Sequence, residues 1–112
     1  MNVFIIGTGL IGGSLALDLQ QEYKAATIYG IDQNETHLNE AISLGLVHHV
    51  ASLSDLNTAD VVIIAIPVDA SVEVIPNVLN MVNDHTLVMD TGSTKEEICT
   101  ILEKHPKIKD KN

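Results

Sequence analysis

A doubly wound α/β fold is predicted by three observations on this 112-residue sequence. Apolar runs of strand length alternate along the chain with stretches whose apolar residues recur at helical spacing. One run, Val61-Val62-Ile63-Ile64-Ala65-Ile66, is continuously apolar, as suits a central parallel strand covered on both faces. Between the first run and the first helical stretch stands Gly7-Thr8-Gly9-Leu10-Ile11-Gly12, which gives a tight strand-to-helix turn its glycines. Right-handed crossovers between such units produce a parallel sheet ordered 3-2-1-4-5 with helices on both faces.

The elements follow in order. Val3-Phe4-Ile5-Ile6 is strand one, and the helix after it carries Leu10, Ile11, Leu15 and Leu19 on its apolar face and ends near Tyr23. Residues 26–32 read as strand two. Residues 34–44 place Leu38, Ala41 and Ile42 at helical spacing and stop at Gly45, a fitting C′ residue. A short third strand fits 47–50, a turn spans 52–58, and strand four covers 60–66 and ends at Pro67. Residues 69–82 look helical, but Pro76 should kink that helix or restart it with the proline in its first turn. Strand five spans 86–90 and a further helix 94–103. One domain is expected over 1–104, with 105–112 a polar, lysine-rich loop or frayed end leading toward a further C-terminal part.

Composition narrows the function. A net charge of −9 and three aromatic residues without tryptophan speak against nucleic acid or an anionic membrane as partner. The single cysteine, Cys99, lies on an apolar helical face as a small buried residue, consistent with a reducing compartment. With strand-sized apolar runs and no basic leader, the expectation is a cytoplasmic protein without a membrane span.

The glycine run carries the chemistry. Gly7 permits the turn, Gly9 allows backbone to approach a pyrophosphate, and Gly12 lets the helix pack close to the strand. The amides of Leu10 and Ile11 then face the ligand from the positive end of the helix. Asp32, twenty positions after Gly12, can accept hydrogen bonds from both hydroxyls of an adenosine ribose at the end of strand two. This is a Rossmann-type dinucleotide fingerprint, with Thr8, Ile66, Pro67 and Gly92 at the same carboxyl edge of the sheet. A purely structural glycine turn, with Asp32 opening a capping box over Asp32-Gln33-Asn34-Glu35, is the competing interpretation. No arginine is available for a 2′-phosphate and a carboxylate would repel one, so NAD is favoured over NADP.

Asp90-Thr91-Gly92-Ser93-Thr94-Lys95 leaves strand five and opens a helix, so Gly92 can bring backbone near a nicotinamide and Ser93 offers a hydroxyl. Ser93 with Glu96, or Thr94 with Glu97, also has capping-box spacing, and Lys95 opposes the helix dipole. The adjacent His48 and His49 point to opposite strand faces and cannot chelate together, so no metal is expected. His37 reads as a solvent-facing helix position, and no histidine stands out as a general base.

Ile5-Ile6-Gly7-Thr8-Gly9-Leu10-Ile11-Gly12-Gly13-Ser14-Leu15-Ala16, the Ala65-Ile66-Pro67-Val68 exit, and Asp90-Thr91-Gly92-Ser93-Thr94-Lys95 together resemble the nucleotide-binding half of the prephenate and arogenate dehydrogenase family. The resemblance implies oxidative decarboxylation of prephenate to 4-hydroxyphenylpyruvate in tyrosine biosynthesis, with hydride passing to NAD. It implies that Ser93 helps orient the catalytic histidine and the substrate. That histidine belongs to a Gly-Gly-His-Pro-Met-Ala-Gly motif, which His105-Pro106 matches only superficially. It also implies a helical C-terminal domain that supplies arginine and dimerises, so the chain is expected to be an N-terminal fragment that binds NAD and turns over little alone. Another dehydrogenase of similar nucleotide domain, such as a 3-hydroxyacid dehydrogenase, and a non-catalytic nucleotide sensor are the alternatives. The Gly-Gly-Ser wording and the Gly-Ser-Thr-Lys opening speak against them.

Overall fold

A computed structural model describes residues 1–66 and 68–90, with Thr100 and Glu103 beyond them, and only the backbone at positions 10, 11 and 68–73. Pro67, Gly92, Ser93, Lys95, Cys99, the expected helix 94–103 and the tail 105–112 lie outside that description as sites or elements. Five parallel strands form one sheet in the order β3-β2-β1-β4-β5. They are β1 (Asn2–Ile6), β2 (Thr27–Ile31), β3 (His49–Val50), β4 (Val61–Ile64) and β5 (Leu87–Asp90), with helices α1 (Leu10–Glu22), α2 (Glu35–Ser43) and α3 (Val68–Met81) between them. The sheet order is the one the alternation predicted.

The two-residue period of a strand sends neighbouring side chains to opposite faces, and here both faces are core. Val3, Ile5, Val61 and Ile63 pack with Leu15, Ala16 and Leu19 of α1 and Ala41 of α2. Phe4, Ile6, Val62 and Ile64 pack on the other face with Leu56 and with Val78 of α3. Phe4 stacks on Tyr29 of β2 at 4.5 Å between ring centroids. The order reverses beside β1, so the crevice at its carboxyl end is where a ligand can enter.

Local chemistry fixes the ends of α2. Asn34 is its N-cap, its side-chain oxygen accepting from the amides of Thr36 and His37 at 2.9 and 3.3 Å. At the far end Gly45 takes φ +71°, its amide donates to Ile42 O, and that of Leu46 to Ala41 O, a Schellman closure. Asn34→Ala should therefore cost about 1 kcal/mol. Urea unfolding should show this as a lower midpoint with an unchanged slope.

Three expectations need correction. The stretch 52–58 is a 3₁₀ helix over Leu53–Thr58, opened by Ser52 N donating to Asp55 Oδ2 at 3.0 Å. β3 has two residues because the His48 ring turns back, its Nδ1 accepting from Ile28 N at 2.8 Å. A ring nitrogen thus replaces a backbone acceptor, and the ladder starts at His49, two residues later than expected. Finally, α3 does not restart at Pro76 but runs through it from Val68 to Met81. Proline removes one backbone donor there. Val74, Ile75 and Val78, packed against the sheet on either side of it, hold the helix together.

Candidate functional site

The turn out of β1 is built by clashes that only glycine avoids. Gly7 sits at φ +97°, and a Cβ there would lie 2.6 Å from Ala65 O. A Cβ on Gly12 would lie 1.8 Å from Gly7 O, so α1 starts where the turn's own carbonyl leaves no room for a side chain. Gly7 N donates to Ile31 O and Ala65 N to Ile6 O, both at 2.7 Å, pinning the loop between β2 and β4.

Gly9 differs. A Cβ on it would meet nothing closer than the His37 ring, at 3.8 Å, which is ordinary van der Waals contact. Within the described residues, the fold has no steric need for glycine at position 9. A ligand that must come close to the backbone there does supply one. As N-cap of α1, Gly9 brings no side chain to the first-turn amides, and the first helical bond, Gly13 N to Gly9 O at 2.8 Å, comes only afterwards. α1 has no acidic residue in its first turn, so its positive end carries no resident anion of its own.

Asp32 follows β2 directly and its carboxylate points at this loop. Oδ2 accepts from Thr8 N at 2.8 Å and from Thr8 Oγ1 at 3.2 Å, and Oδ1 accepts from Asn34 N at 2.9 Å. His37 Nδ1 lies 3.2 Å from Oδ2. Burial pushes this carboxyl up, but the hydrogen bonds from Asn34, Thr8 and His37 outweigh it and hold the group below its ordinary value. The acid is ionised throughout the neutral range. It does not cap α2 as an alternative to a ligand role, since Asn34 does that, and Thr8 is spent on holding Asp32.

Beside the loop opens a cavity of about 340 Å³ lined by Gly7, Asp32, Ala51, Leu53, Ile66 and Val74 among others. It is an apolar slot with one carboxylate at its rim, the composition expected of a small-molecule site. Gly7, Asp32 and Ile66 thus come together as the sequence predicted. His37 was misread as merely solvent-facing. It stands at the third position of α2, and helical side chains lean toward the N-terminus, which brings its ring back over Asp32 and Gly9. The distance of five residues from the acid was the available signal. Ala51, Leu53 and Val74 were also missed as lining, because nothing local marks them.

Fold, glycine loop and acid together define a nucleotide-binding domain of the doubly wound class. Residues 15–111 match the family described as "Prephenate dehydrogenase, nucleotide-binding domain", and the chain belongs to that family. The matched range begins after the glycine loop, so motif and match are separate observations. Prephenate dehydrogenase of Lactococcus lactis subsp. cremoris (strain MG1363) is 34% identical over 98 residues, 86% of this chain and 27% of that protein. The crystal structure of Aquifex aeolicus prephenate dehydrogenase with hydroxyphenyl propionate and NAD+ superposes with a TM-score of 0.75 at 28% identity, covering 80% of this chain and 32% of that one. Synechocystis arogenate dehydrogenase gives 0.73 at 25% identity, over 80% of this chain and 32% of its own. This chain therefore spans about a quarter of the length of the curated relative. Among the described residues, no helix is long and apolar enough to cross a membrane.

Proposed function

We propose that this chain is the NAD-holding part of a prephenate dehydrogenase, which oxidatively decarboxylates prephenate to 4-hydroxyphenylpyruvate for tyrosine biosynthesis in the cytoplasm. The open approach at Gly9, flanked by the Asp32 carboxylate and the bare start of α1, is the observation that carries it. In this reading the amides of Leu10 and Ile11 hold the diphosphate, with Gly7, Gly9 and Gly12 keeping the approach clear. Asp32, oriented by Thr8, accepts from the ribose hydroxyls, and Ile66 and Leu53 line the apolar slot for the base. Pro67 and Gly92 complete the cofactor edge, and Ser93 orients the substrate. NAD, when bound, supplies the oxidant. The catalytic histidine and the arginine for the substrate's carboxylates come from chain beyond these residues, as does homodimerisation.

Thermal unfolding of the 112-residue chain with added nucleotides tests this reading. NAD at 100 times its dissociation constant should stabilise the fold by about 2.7 kcal/mol. NADP at the same concentration should do much less. ATP or ADP shifting the transition as far as NAD would instead indicate a nucleotide sensor. With NAD saturating, neither prephenate nor arogenate should be turned over by these 112 residues alone. Production of NADH would overturn the assignment of the catalytic groups elsewhere.

A further inference from the structure

Asp32 is more heavily engaged than a ribose-binding acid needs to be. Its Oδ2 is approached by Thr8 N, Thr8 Oγ1 and His37 Nδ1 at 2.8, 3.2 and 3.2 Å, while Asn34 N takes Oδ1 at 2.9 Å. Each carboxylate oxygen offers about two lone-pair positions, so Oδ1 keeps one open for a sugar hydroxyl, whereas the second hydroxyl of the ribose can donate to Oδ2 only where a contact already made there yields. Of the four contacts, two come from backbone amides and one from the hydroxyl of Thr8, which is buried in the loop. The fourth belongs to a ring whose side chain is 44% exposed. His37 is the contact able to move.

From this we infer that the charge of His37 sets how strictly the site prefers a ribose with free 2′-hydroxyl over a 2′-phosphorylated one. The inference rests on the reading that Asp32 receives the ribose. A neutral ring gives up the acid readily, leaving a full negative charge that accepts from the hydroxyls and repels a 2′-phosphate. A protonated ring stays on Asp32 as an ion pair, competes with the hydroxyls, and supplies the only cation beside a 2′-phosphate among the described residues near Asp32. Histidine changes charge between pH 5 and 8. Asp32 and, one turn further along α2, Glu40 are the titratable groups around it. α1 and the glycine loop contribute Thr8, Gly9, Gly13, Ser14 and Leu17 to a second cavity, distinct from the apolar slot, which His37 and Glu40 also line, and none of these five titrates.

The test is the ratio of NADP to NAD dissociation constants for the 112-residue chain at about pH 8 and about pH 5.5, wild type against His37→Gln. In the wild type the ratio should fall about fivefold on acidification, the scale of one partly exposed ion pair. The 2′-phosphate titrates in the same window, with a second pKa near 6, and His37→Gln reports that contribution by itself. The variant's ratio should therefore change clearly less. Equal pH dependence in the two proteins would overturn the inference while leaving the site intact. Failure of the wild type to bind NAD at either pH would instead remove the ribose reading beneath it. Matching melting temperatures without ligand would establish that the substitution left the fold alone.

Discussion

Gly12→Ala should lower the stability of the unliganded chain by about 3 kcal/mol, the cost of forcing an atom into a packed site. For a domain near 100 residues that corresponds to a melting temperature lower by roughly 12–20 °C. The added methyl would stand 1.8 Å from Gly7 O and 3.3 Å from Ala65 Cβ. Neither side can retreat cheaply. The Gly7 turn is tied to Ile31 O, and Ala65 N is bonded to Ile6 O. Gly9→Ala makes the opposite prediction. Its methyl finds only the His37 ring at 3.8 Å, and its φ of −71° is open to any residue. Stability should change by no more than about 1 kcal/mol, the scale of a poorer N-cap residue, while NAD affinity falls at least about tenfold because the methyl stands where the diphosphate must come. Calorimetry on both variants, with and without NAD, separates a structural glycine from a ligand glycine. If Gly9→Ala bound NAD like the wild type, the loop would not be the diphosphate cradle.

That contrast marks what could be read without coordinates. Gly7, Gly9 and Gly12 were legible as a set, because the spacing encodes the turn, but their separate duties were not. Only the distances divide them into two that the backbone requires and one that it does not. The sheet order was legible from the alternation of periods, since right-handed crossovers leave few other topologies. Both ends of α2 were legible in their region, although the cap proved to be Asn34 and not Asp32. Pro76 misled because a local rule met a tertiary one: the lost hydrogen bond weighs less than the packing of Val74, Ile75 and Val78 on the sheet. The shortness of β3 was invisible because it depends on the His48 rotamer. His37 escaped for a related reason. Amphipathic periodicity assigns a face relative to the core, and this partly exposed ring also leans onto the edge where β2 ends, a contact that periodicity does not encode.

Asp32→Ala should weaken NAD binding by about 10- to 100-fold, since hydrogen bonds to a charged acceptor contribute about 1.5–3 kcal/mol. NADP affinity should hold or improve, because the repulsion of its extra phosphate goes with the carboxylate. Alanine also strands the amides of Thr8 and Asn34, which now donate to Asp32, so part of the effect would pass through a loosened loop. Asp32→Asn separates the two causes. Its amide oxygen can still accept from one of those amides, but its charge is gone and its nitrogen cannot accept from a ribose hydroxyl. It should keep the fold, lose about tenfold in NAD affinity and narrow the preference over NADP. The pH dependence has a definite sign. The folded Asp32 carboxyl is held below its ordinary value, so the stability it contributes is present above about pH 4 and is lost as pH falls through the folded value. The gap in melting temperature between wild type and Asp32→Asn should therefore be constant from neutral pH down to about 5 and close below about 4. A gap that closed around neutrality would point to the His37 charge as the stabilising element. Unchanged affinities for both nucleotides in both variants would take Asp32 out of the site altogether.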